Sequence, residues 1–253
     1  MDIAVILSFI FFMSIFAGVG LASVRVKKDT TDDYLVAGRG MSPPLAALSA
    51  VSTWNSGYMF IGFIGFTYTL GYPVAFLAFM STLGQFVAWM WLYKFIQKEG
   101  KDRGVRSLSS LVAEKAGAPE AKLAGALSVL FLSIYAAAQL TSGGKALFVM
   151  MGWPEVIGIL IGFVLVVAYC YAGGIRASIW TDAAQSLVMI IAMFLMVFFG
   201  IKELGGFSNF VNELHKISPD YMKWFPSTKF SEFLLAPYMF IIGWFFSGVG
   251  VIG

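Results

Sequence analysis

The sequence has little charge, one cysteine and one histidine, and each scarcity excludes a class of protein. Only 12% of its 253 residues are charged and 59% are hydrophobic, whereas a soluble domain carries about 25% charged residues. The lone Cys170 allows no intramolecular disulfide and no cysteine metal cluster. The lone His215 lies in a polar stretch, which disfavours histidine-based chemistry. The composition therefore predicts an all-α integral membrane protein, and no catalytic constellation or nucleotide loop indicates an enzyme.

Long uncharged runs favour helices over a membrane barrel. Several reach the roughly 20 residues that a helix needs to cross the hydrocarbon core, and they lack the period-two alternation of membrane strands. The uncharged run from Gly40 to Tyr93 is long enough for two crossings, which a turn at Gly71 separates. The seven predicted spans are Ile3–Val24, Pro44–Leu70, Pro73–Ile96, Leu123–Met151, Glu155–Gly174, Ser178–Ile201 and Phe233–Gly253.

The basic residues orient the chain. Most of the 17 lysines and arginines lie in loops after the first, third and fifth predicted spans, and by the positive-inside rule these loops face the cytoplasm. The N-terminus is then outside, and residues 202–232 form an extracellular loop. Because the net charge of +3 is spread over loops, it indicates topology rather than a nucleic-acid partner.

The second predicted span contains a polar run, from Ser49 to Gly57, that forms helix poorly. Serine, threonine, asparagine and glycine compete for helical hydrogen bonds and add backbone entropy. A break here would free carbonyls for a small cation and N–H groups for an anion, as in transporters with discontinuous helices. The residues alone allow a second interpretation equally well, in which the small side chains form a tight helix–helix contact.

Two further spans carry polar residues at membrane depth. Tyr135 and Gln139 share one face of the fourth span, where a hydrogen bond between helices and a contact with a solute are both possible. Asp182 lies in the apolar part of the sixth span, and an intramembrane acid is a functional candidate. The alternative is that Thr181 or Asp182 caps the start of that helix.

Five segments occur in the same order as segments of the sodium:solute symporter family, which the chain resembles over essentially its whole length. The first two are "DDYLVAGRGMSPPLAALSA" (32–50) and "NSGYMFIGFIG" (55–65). The others are "IYAAAQLTSGGKALFVMMG" (134–152), "YAGGIRASIWTDAAQ" (171–185) and "GWFFSGVGVIG" (243–253). Each segment alone is a weak signal, but five in order on the predicted spans form a specific pattern.

The resemblance implies an inverted-repeat transporter fold of five plus five helices. Residues 1–253 would form a single, truncated transmembrane domain, with 3–24 as an extra N-terminal span and 44–201 as the first five-helix repeat. Residues 233–253 would be the first helix of the second repeat, cut short at Gly253. We therefore expect a missing C-terminal half or a second chain as partner, and the bacterial inner (plasma) membrane as the location.

The resemblance also assigns site residues. The family's sodium ligands correspond here to Ser52 and Asn55, and Asp182 matches an acid on the sodium exit path. Gln139 is added from its position on the face of Tyr135. The expected solute-binding residues are Trp54, Ser56, Gly57, Tyr58, Tyr135, Gln139 and Ser247. The sodium–proline branch has an aspartate where this chain has Trp54, which argues against proline and weakens the sodium assignment.

The function implied by the resemblance is secondary active transport, in which inward sodium movement drives uptake of a small organic solute such as an amino acid or carboxylate. Sodium would be the coupling ion, and no organic cofactor is expected. One alternative is a transporter-like sensory module of a signalling protein. Another is an inactive fragment that needs its second half.

Overall fold

The computed structural model describes residues 3–115, 117–218, 221–223 and 236–250. In these residues the chain is helical and has no strand. The helices are α1 (Ile3–Val24), α2 (Thr31–Val36), α3 (Pro43–Trp54), α4 (Ile64–Leu70), α5 (Val74–Val87), α6 (Lys94–Asp102), α7 (Leu108–Val112), α8 (Pro119–Met151), α9 (Glu155–Glu203), α10 (Phe207–Ile217) and α11 (Ala236–Gly250). A 3₁₀ turn (Ala37–Arg39) follows α2, and π-helical segments (Tyr58–Phe63 and Ala88–Tyr93) precede α4 and α6.

Four helices of the described part are long and apolar enough to cross a membrane. They are Ile3–Val24, Val74–Asp102, Pro119–Met151 and Glu155–Glu203. Large apolar side chains on them are exposed, including Leu130 and Phe131 on α8, as expected for helices whose solvent is lipid. The helix α1 has the bounds predicted for the N-terminal span.

Helix α9 covers two of the predicted spans. Its 49 residues far exceed the roughly 20 that one crossing needs. Gly174 interrupts it with φ 60° and ψ −151°, a conformation that glycine adopts without the penalty of a Cβ atom. The helix resumes at Ile175, so the predicted later start at Ser178 is wrong, because the non-helical backbone is confined to Gly174.

Local sequence signals set the other helix ends. Proline stands in the first turn of α3 and of α8, where its missing N–H costs nothing. Thr30 caps α2 by accepting a hydrogen bond from the Asp33 backbone N–H at 3.1 Å. Gly152 ends α8 in the left-handed conformation, with φ 68°.

The chain forms two compact units, Met1–Tyr58 with Glu99–Val188, and Met59–Lys98 with Met189–Gly253. In the first unit, α1 packs against α9 through small residues. A Cβ atom on Gly20 would lie 2.9 Å from Cβ of Tyr169 and 3.0 Å from Cγ2 of Thr181. Such close backbone approach is how helices associate in lipid, where dispersion contacts replace the hydrophobic effect.

The loop after α1 supplies hydrogen-bond donors to the kink in α9. An interrupted helix leaves the carbonyls of its last turn without intrahelical partners. The Tyr34 hydroxyl lies 3.4 Å from the carbonyl oxygens of Cys170 and Tyr171, and the Lys27 ammonium donates to the Ala172 carbonyl at 3.2 Å. The backbone of Tyr34 also leaves no room for a side chain on Gly174.

An ion pair fixes the same loop to α9. The Asp33 side chain is 2% exposed and accepts hydrogen bonds from the Arg176 guanidinium and from the Lys28 backbone N–H. Arg176 donates further to the Ala37 carbonyl at 3.2 Å. The Arg176 and Lys28 donors hold the pKa of Asp33 below its ordinary value. The contacts of residues 27–37 with residues 170–176 are called the α9 clasp below.

The second unit is held together by close packing of α5 and α11. Gly84 lies against the Phe245 carbonyl, and Gly248 lies against the Ser81 carbonyl, with no space for a Cβ atom at either glycine. Tyr221 holds the turn at Gly71, since its hydroxyl donates to the Thr67 carbonyl at 2.8 Å.

Part of the C-terminal prediction lies outside the described residues. The predicted extracellular loop contains α10 (Phe207–Ile217), while residues 224–232 are not among those described. The last predicted span is represented by α11, and residues 233–235 and 251–253 likewise lie outside the described part.

Candidate cation and solute site

The polar run of the second predicted span is the place where its helix breaks. Helix α3 ends at Trp54, and Asn55 has the non-helical angles φ −80° and ψ 58°. Helical geometry begins again as a π-helix at Tyr58. The predicted break is therefore confirmed. The Asn55 side-chain amide also donates to the Val51 carbonyl at 3.0 Å, the kind of side-chain to backbone bond that accompanies helix ends.

The break exposes carbonyl groups on its N-terminal side. The last-turn carbonyls of a helix have no intrahelical partner and carry partial negative charge. In α3 the Val51 carbonyl is taken by both the backbone and the side chain of Asn55, each at 3.0 Å. The next carbonyls, from Ser52 to Trp54, belong to this open end, and oxygen atoms of this kind bind Na⁺ in discontinuous helices.

On the C-terminal side of the break, side chains already satisfy two backbone N–H groups. Gly57 donates to Oε1 of Gln139 on α8 at 2.6 Å, and Tyr58 donates to Oγ of Ser56 at 3.3 Å. Gln139, which was predicted from its helix face alone, thus contacts the break directly. An anionic solute that uses the Gly57 N–H has to replace the Gln139 oxygen.

The break is also a close helix–helix contact, so both interpretations of the polar run describe part of it. A Cβ atom on Gly57 would lie 2.5 Å from Cβ of Ser142 and 2.9 Å from Oε1 of Gln139. Glycine is required here because α8 passes within contact distance of the backbone. Thr141 and Ser142 bond to carbonyls of their own helix, Ala137 and Ala138.

The remaining predicted solute-binding residues differ in placement. Trp54 and Ser56 are half-buried at the break. Tyr58 is 38% exposed, and Tyr135, one turn before Gln139 on α8, is 47% exposed. Ser247 is exposed on α11, which belongs to the second compact unit. The solute-binding roles of all five residues stay predictions.

Asp182 bonds to the helix that breaks. The Ser49 hydroxyl of α3 donates to its carboxylate at 2.8 Å. The capping alternative is wrong, since the helix resumes at Ile175, and Thr181 bonds to the carbonyls of Ala177 and Ser178 within its own helix. The carboxylate instead lies beside α3, where Ser49 and Ser52 are neighbours one turn apart.

Two hydroxyls between these helices were not among the predicted site residues. Besides Ser49, the Ser186 hydroxyl of α9 donates to the Leu48 carbonyl of α3. Ser49 begins the polar run, and Ser186 follows Asp182 by one helical turn. A search for small polar residues at i and i+4 from the intramembrane acid would have found Ser186.

The ligand atoms suit a hard cation. Among the described residues, no group of three or more His, Cys, Asp or Glu side chains could hold a metal ion. The candidate ligands are instead helix-end carbonyls, hydroxyls and one carboxylate, Asp182. Oxygen donors of this kind suit hard cations rather than metals that prefer thiolate or imidazole ligands.

Comparison with known proteins gives one family. The profile of the sodium:solute symporter family matches residues 34–253. The high-affinity proline transporter PutP of Bacillus subtilis is 26% identical over 78% of this chain and 42% of its own length. The sodium/glucose cotransporter of Vibrio parahaemolyticus is 29% identical over 79% of this chain and 37% of its own. The sodium/pantothenate symporter of Haemophilus influenzae is 28% identical over 87% of this chain and 45% of its own.

These comparisons confirm the resemblance drawn from the five segments, and they do not favour the sensory-module alternative. The chain spans about two fifths of the length of the curated relatives named above. No solved structure matches it.

Proposed function

Since the chain belongs to the sodium:solute symporter family, we propose that it carries the broken-helix side of a site that couples sodium entry to the uptake of a small organic solute. The break between Trp54 and Tyr58, closed on one side by Gln139, is the observation that carries the proposal. It supplies oxygen acceptors for a cation and N–H donors for a solute within one short segment.

The proposed fold is the inverted-repeat arrangement with seven spans in this chain, the first of them an extra N-terminal helix. The four long apolar helices of the described part and the interrupted second span support it. The distribution of basic residues supports an outside N-terminus, and we keep the bacterial inner (plasma) membrane as the proposed location because several of the relatives are bacterial.

For the cation, we assign Ser52 and Asn55 as carbonyl ligands at the end of α3, and Asp182 as the acid on the exit path. The support is the hydrogen bond from Ser49 of α3 to the carboxylate of Asp182 on α9, since Ser52 lies one helical turn after Ser49 on α3. Cation binding at the open carbonyls would offset their partial negative charge and hold the two halves of the broken helix in one geometry.

For the solute, we assign the segment from Ser56 to Tyr58 together with Trp54, Tyr135 and Gln139, and Ser247 of α11 is kept as a separate prediction from the family resemblance. The Gly57 N–H points to a solute with an acceptor group, such as an amino acid or a carboxylate. Displacement of the Gln139 oxygen by that acceptor would exchange one hydrogen bond to the Gly57 N–H for another, and a donor on the solute would then have to satisfy the freed Gln139 oxygen.

Uptake measurements test this function. Cells that express the complete coding sequence, and proteoliposomes that contain residues 1–253, are compared across a panel of amino acids, carboxylates and sugars, with and without a sodium gradient. Uptake of one solute that depends on the sodium gradient is the expected result. Uptake driven equally by a proton gradient without sodium would overturn the coupling ion. Uptake in cells with none in proteoliposomes would identify residues 1–253 as the half that needs a partner.

A further inference from the structure

A cavity of about 370 Å³ lies where the chain leaves α1. Its volume is within the roughly 300–1,000 Å³ of small-ligand sites. The wall is formed by the stretch from Lys27 to Leu35, without Asp32, and by Gly173 on α9. It includes two lysines, Lys27 and Lys28, and two threonines, Thr30 and Thr31. The cavity belongs to the first compact unit and shares no lining residue with the broken helix.

Two of the acidic side chains nearest the cavity, Asp32 and Asp33, are already paired with arginines. Asp29 makes only a long contact with Lys27. Asp33 holds Arg176, and Asp32 accepts from Nε of Arg106 at 2.5 Å. Each pairing lowers the pKa of the aspartate, because the guanidinium favours the ionised carboxylate. Both carboxylates therefore stay ionised. Because the arginines balance their negative charge, they do not cancel the positive charge of the lysines at the cavity.

The lysines keep donors for a ligand. Lys27 uses one donor on the Ala172 carbonyl, and its contact with Asp29 is long, at 3.8 Å, with Asp29 93% exposed. An ammonium has three donors, so Lys27 has capacity left. The Lys28 side chain is exposed, while its backbone N–H donates to Asp33 and its carbonyl accepts from the Thr30 N–H. The hydroxyl of Thr30 accepts from the Asp33 N–H and retains its own proton to donate.

The position of the cavity relative to the membrane determines which anions can reach it. Helix α1 is apolar, long enough to cross the bilayer, and ends at Val24. Lys27 and Lys28 follow within four residues, a distance that keeps them at the level of the lipid headgroups. Tyr34 and Leu35, which also line the cavity, are 42% and 48% exposed. A ligand here meets both positive charge and apolar surface.

We propose that this cavity binds the phosphate of an anionic membrane lipid, with Lys27, Lys28 and Thr30 as donors to the phosphate oxygens and Leu35 against the glycerol end of the lipid. A lipid satisfies the apolar part of the wall, which a free phosphate leaves uncovered. Bound lipid would rest on the α9 clasp, because Lys27 contacts the kink and Lys28 contacts Asp33. The site does not depend on the transport function proposed above.

Lipid titration of the 253-residue chain tests the site. The delipidated protein in mild detergent is titrated with short-chain phosphatidylglycerol, phosphatidylcholine or inorganic phosphate, and bound species are counted by native mass spectrometry. We expect saturable binding of one phosphatidylglycerol and much weaker binding of the other two. Lys28→Gln weakens it about fivefold and the Lys27→Gln/Lys28→Gln double variant about 25-fold, since each lysine near the surface contributes a factor of this size.

Lys98→Gln is the matched control, because Lys98 is also exposed, lies near the end of another long apolar helix, and does not line the cavity. Its binding should equal that of the unaltered chain. Equal loss in Lys98→Gln and Lys28→Gln, or no loss in Lys28→Gln, would overturn the proposal. Inorganic phosphate that binds as tightly as phosphatidylglycerol would overturn the lipid assignment. The melting temperature of lipid-free Lys28→Gln should match that of the unaltered chain, so weaker binding cannot be ascribed to unfolding.

Discussion

Oε1 of Gln139 accepts a hydrogen bond of 2.6 Å from the backbone N–H of Gly57, at the break in the second predicted span. The acceptor is a side chain on α8, so the free end of one helix is closed by its neighbour. This bond predicts a separation of two effects. Loss of the hydrogen bond should lower the stability of the protein, whereas a negative charge at position 139 should weaken the binding of anionic solutes.

Gln139→Ala should destabilise the protein by about 1–3 kcal/mol, because the half-buried Gly57 N–H is left without an acceptor. Gln139→Glu keeps an acceptor and should retain more stability, but its charge should repel a solute carboxylate. Thermal unfolding in detergent and solute competition binding measure the two effects. Thr141→Ala is the control, since the Thr141 hydroxyl bonds only to its own helix, at Ala137. Equal melting temperatures for Gln139→Ala and Thr141→Ala would contradict the bond.

Gly57→Ala should destabilise by about 1–3 kcal/mol through overpacking. The new Cβ atom would lie 2.5 Å from Cβ of Ser142. Gly65→Ala in the following helix is matched to it, because nothing lies within 4 Å of a Cβ atom there; it should be neutral or slightly stabilising. The double variant Gly57→Ala/Ser142→Gly should recover much of the loss. If both alanine variants melt alike, the close approach is not real.

Asp182→Asn should lower the sodium affinity of uptake by at least about tenfold, since the substitution removes one full negative charge beside the proposed exit path. The amide can still accept the bond from Ser49, so stability should change little. Sodium titrations of uptake in cells expressing the complete coding sequence measure this. Asp29→Asn, in the exposed loop, is the control. Unaltered sodium affinity and rate in Asp182→Asn would leave Asp182 a purely structural partner of Ser49.

The α9 clasp should make stability depend on acid. The folded pKa of Asp33 lies below its ordinary value of 3.8, chiefly because of the hydrogen bond from Arg176. The ionised clasp therefore stabilises the fold above the unfolded pKa, and this contribution is lost as the pH falls through the folded pKa.

Melting temperatures of the unaltered chain and of Asp33→Asn, followed from neutral pH into the acid range, check this. The difference between them should be largest at neutral pH and shrink below about 3.8. Asp29→Asn, at a fully accessible carboxylate, should show no comparable change. A difference between Asp33→Asn and the unaltered chain that stays constant with pH would show that the charge of Asp33 does not stabilise the clasp.

The sequence predicted the features that depend on composition and local chemistry. Its scarcity of charge and its uncharged runs predicted membrane helices, with α1 found at its predicted bounds. The serine, asparagine and glycine from Ser52 to Gly57 predicted a weak point in the second span, because their side chains and backbone entropy oppose helix locally. The ordered family segments then distinguished a break from a simple packing contact.

Only the tertiary structure decided which distant groups meet. Periodicity does not show that Gly57 faces Gln139, that Asp182 pairs with Ser49, or that Asp33 holds Arg176, since these pairs are separated by 82 to 143 residues. The structure also excluded the capping interpretation of Asp182, because Gly174 lets the helix resume at Ile175, before the predicted start at Ser178. The sequence determined where helices weaken, and packing determined what occupies each weak point, because a backbone group freed in lipid must take its partner from whichever helix lies beside it.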